Sequence, residues 1–188
     1  MSRKLIFFVT SNPEKLKDLL DMHKKYSGLD IQRHEQKISE PRGSEINDIV
    51  REKALEAYRH LRQPLLVDHT SLSIEAVGGL PGSSSDEFWT SISPNYSTFV
   101  RSLNSRAASM SVGLCYTDGK NFFPAVATTQ GKLSDITKGS RIFGWDNVFI
   151  PVGQNKTFSE MSVKEKNMHS ARTIAFESLV EIMIGRAK

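Results

Sequence analysis

An unbroken apolar run, KLIFFVT at residues 4–10, stops at Ser11-Asn12-Pro13 and gives way at once to EKLKDLLDMHKKY. The run has the length of a buried strand, while Leu16, Leu19 and Leu20 recur at helical spacing. Asn12 reads as an N-cap and Pro13 as the first helical residue, so the turn is tight. A strand that passes directly into a helix commits the chain to α/β packing, because each needs the other to cover its apolar face. The alternation continues with LDIQRHE as a strand, EINDIVREKALEAYRHL as a helix and LLVDHTSLSIE as a third strand. SMSVGLCYT and FFPAVATTQGKLS then flank Asp118-Gly119-Lys120-Asn121, a hairpin signal, so the expected sheet is mixed. Ser162 and Glu165 stand at capping-box spacing and open what reads as one apolar-striped helix to the end of the chain. At 188 residues, the chain suits one domain over 1–188, or two small lobes sharing a core.

Composition narrows the function. No stretch reaches the roughly 18 to 20 apolar residues of a membrane span, and MSRKLIFFVTSNPEK is interrupted too early for a secretory signal. A cytoplasmic protein is expected. The single cysteine, Cys115, reads as a small buried hydrophobe and leaves no disulfide framework or cysteine metal site. The net charge of +4 suits an anionic ligand, but the basic residues are scattered rather than gathered with aromatics. Small phosphorylated molecules fit this better than a nucleic acid.

Two helices carry cations on their apolar sides. Ile46, Ile49, Val50, Ala54, Ala57 and Leu61 fall in one arc with Lys53 near its middle. Lys53 either snorkels along the core edge or meets an anion, which a ligand phosphate could supply; Asp48 projects the other way, toward solvent. In the last helix Ile174, Phe176, Leu179, Val180 and Met183 define an arc containing Arg172, provided the helix is continuous to that point. The turn at TSNPEK adds backbone N–H groups at a positive helix end, where anions bind, although it lacks the glycines of a P-loop. Finally, LLVDHTSLSIEAVGGLPG, residues 65–82, carries Asp68 and His69 side by side where a strand leaves the core.

Together TSNPEK, VDHTSLSIEAVGGLPG, FGWDNVF and TFSEMSVKEKNMHSAR resemble, in order and nearly in spacing, the inosine triphosphate pyrophosphatase family, also called xanthosine and deoxyinosine triphosphate pyrophosphatases. The resemblance spans residues 9–172. It implies an elongated, two-lobed α/β domain with a mixed sheet, flanking helices and a central cleft, usually dimeric. It also implies Mg²⁺-dependent hydrolysis of purine nucleoside triphosphates to monophosphate and pyrophosphate, with Mn²⁺ as the alternative metal. Thr10, Ser11, Asn12 and Lys15 match the phosphate-binding turn, with Ser11 where glycine is usual, and Thr70 joins the substrate-binding set. Lys53 matches an inward lysine. Phe143, Gly144, Trp145 and Asp146 match the base-binding block, in which Phe143 would stack on the purine. Lys166, Ala171 and Arg172 fall in the block that reads the nucleotide, and Glu40, with Glu45 competing, would join Asp68 at the metal.

Two departures follow from the same resemblance. His69 stands where the family carries a second acidic residue, and Ala171 precedes Arg172 where the family has histidine. A neutral imidazole can act as a base near neutral pH, or can bind Mn²⁺, Co²⁺ or Zn²⁺ better than Mg²⁺. The resemblance therefore implies His69, Asp68 and Lys53 as catalytic residues of a pyrophosphohydrolase. The alternatives are an enzyme for another purine triphosphate, or a weakened nucleotide-binding or regulatory protein on the same fold.

Overall fold

Strand β1 (Lys4–Val9) forms from the apolar run and ends at Thr10, whose hydroxyl accepts the Asn12 N–H at 3.1 Å. Asn12 Oδ1 in turn accepts the Glu14 N–H at 3.0 Å, and Pro13 begins helix α1 (Pro13–His23). The cap satisfies an otherwise orphaned donor and fixes where the helix starts. The computed structural model describes residues 3–39, 45–139 and 144–185. Along them follow β2 (Leu29–His34), α2 (Ile46–Leu61), β3 (Leu65–Ile74), the two-residue β4 (Pro81–Gly82), α3 (Ser85–Ile92), α4 (Tyr96–Ser102), β5 (Ala107–Thr117), β6 (Phe122–Leu133), β7 (Phe149–Pro151), α5 (Val163–His169) and α6 (Ala171–Met183).

The sheet runs β2-β1-β3-β5-β6-β7, with β4 on β3. β1 pairs parallel with β2 from Lys4↔Leu29 to Val9↔His34 and parallel with β3 at Phe7↔Leu65 and Phe8↔Leu66. β3 and β4 are antiparallel, as are β6 and β7, so the sheet is mixed as expected. The Asp118–Asn121 turn joins β5 to β6, with Asp118 Oδ1 accepting the N–H groups of Lys120 and Asn121 at 2.9 Å each.

The chain divides into two compact units, the first comprising residues 1–69, 112–127 and 172–188 and the second 70–111 and 128–171. In the first unit Val50, Ala54 and Ala57 of α2 pack with Val9, Leu65, Val67 and Cys115. Side chains alternate across a strand, so Ile6, Phe8, Leu66 and Asp68 point to the opposite face. Helix α6 packs with α1 and the turn after it: Thr173 Oγ1 donates to Met22 Sδ at 3.0 Å, and the Phe176 ring lies 6.0 Å from Tyr26.

The second unit has its own core of Leu72, Ile74, Tyr96, Val100, Trp145, Phe149 and Phe158, with Phe88 and Trp89 packed against it. Trp145 lies 4.8 Å from Trp89 and 6.1 Å from Phe88, ring centre to ring centre. Helices α3 and α4, which bring those aromatics in, are not evident from the serine-rich sequence around them.

One expectation is corrected. The C-terminal segment is two helices: Ser170 takes an extended conformation, φ −78° and ψ 125°, between α5 and α6. A second expectation fails on helix geometry: Ile174, two residues after Arg172, lies about 200° from it around α6 and is 51% exposed, while Ala175 is among the buried residues. The Ser162–Glu165 capping box forms as expected, with the Glu165 N–H donating to Ser162 Oγ at 3.2 Å.

Candidate functional site

Asp68 is the centre of a buried charge cluster within the first unit. It lies at the middle of β3, 2% exposed, with its side chain on the face that carries α1 and α6. Lys15, one turn into α1, places Nζ 3.3 Å from Asp68 Oδ1. Arg172, at the start of α6, donates from one terminal nitrogen to Asp68 Oδ2 at 3.1 Å and from the other to Asp18 Oδ2 at 3.2 Å. From the opposite face, Lys53 of α2 donates to the carbonyl oxygen of Asp68 at 2.8 Å. Burial alone would raise the Asp68 carboxyl, but the charges of Lys15, Arg172 and Lys53 and the Arg172 hydrogen bond hold it below the usual carboxylate range.

Each member is placed by local physics. Lys53 falls in the apolar arc of α2, flanked by buried Ile49, Val50, Ala54 and Ala57, so helical periodicity delivers it to the strand, while Asp48 is exposed as expected. Lys15 is buried because the Asn12 cap and Pro13 set the phase of α1. Arg172 is buried because the break at Ser170 turns the start of α6 inward. The turn itself is steadied by Arg33 of β2, whose guanidinium donates to the carbonyl oxygens of Thr10 at 3.4 Å and Ser11 at 3.1 Å. Thr10 is buried, Asn12 half-buried and Ser11 exposed. Asp18 and Arg33 were not evident as contributors. Asp18 stands three residues after Lys15, on the same helical face, which is the one signal that could have marked it.

His69 is buried, 3% exposed, and follows Asp68 in the same strand. Alternation sends its side chain to the α2 face, the side of Lys53, away from Lys15 and Arg172. The two residues are thus adjacent in sequence and divided by the sheet.

The remaining candidates lie in the second unit. Asp146 and Lys166, 5% and 4% exposed, pair at 2.6 Å. Trp145 is a core residue whose indole N–H donates to the carbonyl of Ser85 at 3.1 Å, and the Ser85 hydroxyl donates to the carbonyl of Thr70 at 3.0 Å. Gly144 has φ +49°, a left-handed conformation that glycine adopts without strain. Ala171 is buried. Phe143 and Glu40, assigned by resemblance to the base and the metal, lie outside the described residues.

Among the described residues no group of three or more His, Cys, Asp or Glu side chains forms a ready metal cage. Mg²⁺ does not require one, since it is commonly held by one or two carboxylates together with substrate phosphates. Asp68 is the buried carboxylate of the cluster, paired with Lys15 and Arg172. No helix among the described residues is long and apolar enough to cross a membrane.

The sequence pattern of the Ham1 family matches residues 6–182. The chain is 29% identical over 176 residues to the dITP/XTP pyrophosphatase of Saccharolobus solfataricus, covering 93% of this chain and 91% of that protein. It is 30% identical over 182 residues to the inosine triphosphate pyrophosphatase of Schizosaccharomyces pombe, covering 95% and 94%. In three dimensions it resembles a HAM1 protein from Coxiella burnetii with a TM-score of 0.79 over 97% of this chain and 99% of that one, at 21% identity, which is a likeness of fold. The matched span takes in the capped turn, the Asp68 cluster and the Asp146–Lys166 pair, and the chain belongs to the Ham1 family.

Proposed function

We propose that the protein hydrolyses purine nucleoside triphosphates of the inosine, deoxyinosine or xanthosine type to the monophosphate and pyrophosphate. The observation that carries this reading is the gathering of Lys15, Lys53 and Arg172, each more than nine-tenths buried, at Asp68, the first and last at its carboxylate and Lys53 at its carbonyl oxygen. Buried cations are held at a cost that anions offset, and a polyphosphate tail offers the kind of charged oxygen that Asp68 and Asp18 present to them here. The names carried by the relatives supply the base class.

In this proposal Lys15, Lys53 and Arg172 offset charge developing on the phosphate oxygens, the capped start of α1 receives further phosphate oxygen, and water attacks the α phosphorus. Asp68 is the described residue that would hold Mg²⁺, which supplies Lewis-acid stabilisation of those oxygens when bound. His69, on the α2 face with Lys53, is assigned as the group that accepts the proton of the attacking water. Gly144, Asp146, Lys166 and Ala171 are assigned to nucleotide recognition on the strength of the resemblance, with Trp145 anchoring that block in the core of the second unit. A cytoplasmic setting, supported by the phosphorylated substrate and a single buried thiol, and a homodimer, supported by the resemblance, complete the proposal.

The test is a panel of purine nucleoside triphosphates with Mg²⁺ or Mn²⁺, scoring pyrophosphate separately from orthophosphate. Pyrophosphate from inosine or xanthosine triphosphate in preference to adenosine triphosphate is the expected result. A second reading, a nucleotide-binding protein without turnover, is favoured by the division of Asp68 and His69 between sheet faces. It predicts saturable nucleotide binding with no pyrophosphate under either metal.

A further inference from the structure

The cations of the first unit's charge cluster are already engaged before any ligand arrives. Lys15 and Arg172 hold the two oxygens of Asp68 at 3.3 and 3.1 Å, and Lys53 holds its carbonyl at 2.8 Å. Asp18 takes the other arm of Arg172 at 3.2 Å. The same lysine and arginine that would receive phosphate oxygens are therefore engaged by a resident carboxylate, and a carboxylate presents a guanidinium with the same kind of charged oxygen pair as a phosphate does.

We propose that Asp68 is a built-in competitor for the polyphosphate, a specificity-determining anion that the ligand must replace on Lys15 and Arg172. This deepens the pyrophosphohydrolase reading and rests on it. A single phosphate group carries at most about two negative charges. It gains too little from these cations to offset the loss of the pairs already made, whereas a chain of phosphates engages several cations at once and does. After cleavage the fragments are shorter, and Asp68 returns to its partners as they leave. Asp18 has a different part: it keeps one arm of Arg172 fixed while the other changes partner.

The experiment uses inorganic tripolyphosphate as the probe, titrated calorimetrically in EDTA so that no metal bridges it to Asp68. Asp68→Asn keeps the shape and removes the competing charge, and is expected to bind tripolyphosphate about tenfold tighter than the wild type, with orthophosphate binding becoming measurable. Asp18→Asn changes net charge by the same unit but leaves the competitor in place, and is expected to stay within about threefold of the wild type. Equal affinity in Asp68→Asn and the wild type, or equal gains in both variants, would overturn the proposal. Should Asp68→Asn prove unfolded alone, recovery of a cooperative melting transition in tripolyphosphate supports it, and failure to recover at concentrations that saturate the wild type contradicts it. A wild type that neither binds tripolyphosphate nor forms pyrophosphate removes the functional reading itself. A wild type that does both, beside an Asp68→Asn that binds no tighter, removes the competitor alone.

Discussion

Lys53 occupies a position where methionine would pack equally well, between buried Val50 and Ala57 and against Asp68 of the strand. Lys53→Met is expected to lower kcat/KM by about 10² to 10³, since one electrostatic contact to the reacting phosphates is lost. It should cost no more than about 2 kcal/mol of stability, because one carbonyl loses a donor. Arg172→Met is expected to weigh more on stability: it strips a buried partner from Asp68 and removes the Arg172–Asp18 bond, a change worth about 3 to 5 kcal/mol. Denaturant melts beside steady-state kinetics separate the two. Asp68 also sets an acid limit. Its folded pKa is lowered, so its stabilisation is fully present above the ordinary aspartate value of about 3.9 and is lost only as pH falls through the lower folded value. The stability difference between wild type and Asp68→Asn should therefore be flat from neutral pH down to about pH 5 and shrink below pH 4; a difference that changes between pH 6 and 8 contradicts this assignment. Lys53 could be recognised from sequence because a cation in an apolar arc violates the helix period. Asp18 could not, because KLKDLLD offers several charges and the period alone does not choose a partner for a residue 154 positions away.

The elements were legible where backbone chemistry marks them. Thr10-Ser11-Asn12-Pro13 announces the start of α1, and Asp118-Gly119 announces the turn between β5 and β6. Gly119 adopts φ +93°, and an added Cβ would run into the Tyr58 ring, so Gly119→Ala is expected to cost well over about 1 kcal/mol, read from urea melts. Helices α3 and α4 were hidden because PGSSSDEFWTSI begins with loop-forming residues. Phe88 and Trp89 stabilise them by packing with Trp145, a tertiary effect that local propensity does not register. The break between α5 and α6 was hidden for the opposite reason. Ser170 is neither glycine nor proline, and the apolar spacing continues past it, so only its extended backbone reveals that Ala171 begins a new helix.

At the scale of the molecule, the α/β class, the mixed sheet and the family were all legible, since strands and helices alternate along the chain and four separated motifs carry the resemblance. Two lobes were expected, but where the chain divides between them was not legible, because β3, β5 and β6 each pass through both units. Nor was the division of Asp68 from His69, which the bare sequence presents as a pair and the strand pleat sends to opposite faces. In the proposed reaction, buried cations of the first unit direct water to the α phosphorus of a nucleoside triphosphate. The most direct measurement is hydrolysis of inosine triphosphate in ¹⁸O-labelled water, with the products separated and weighed by mass spectrometry. Attack at the α phosphorus puts the label in inosine monophosphate and leaves pyrophosphate unlabelled. Label in orthophosphate, with inosine diphosphate as the partner product, would contradict it.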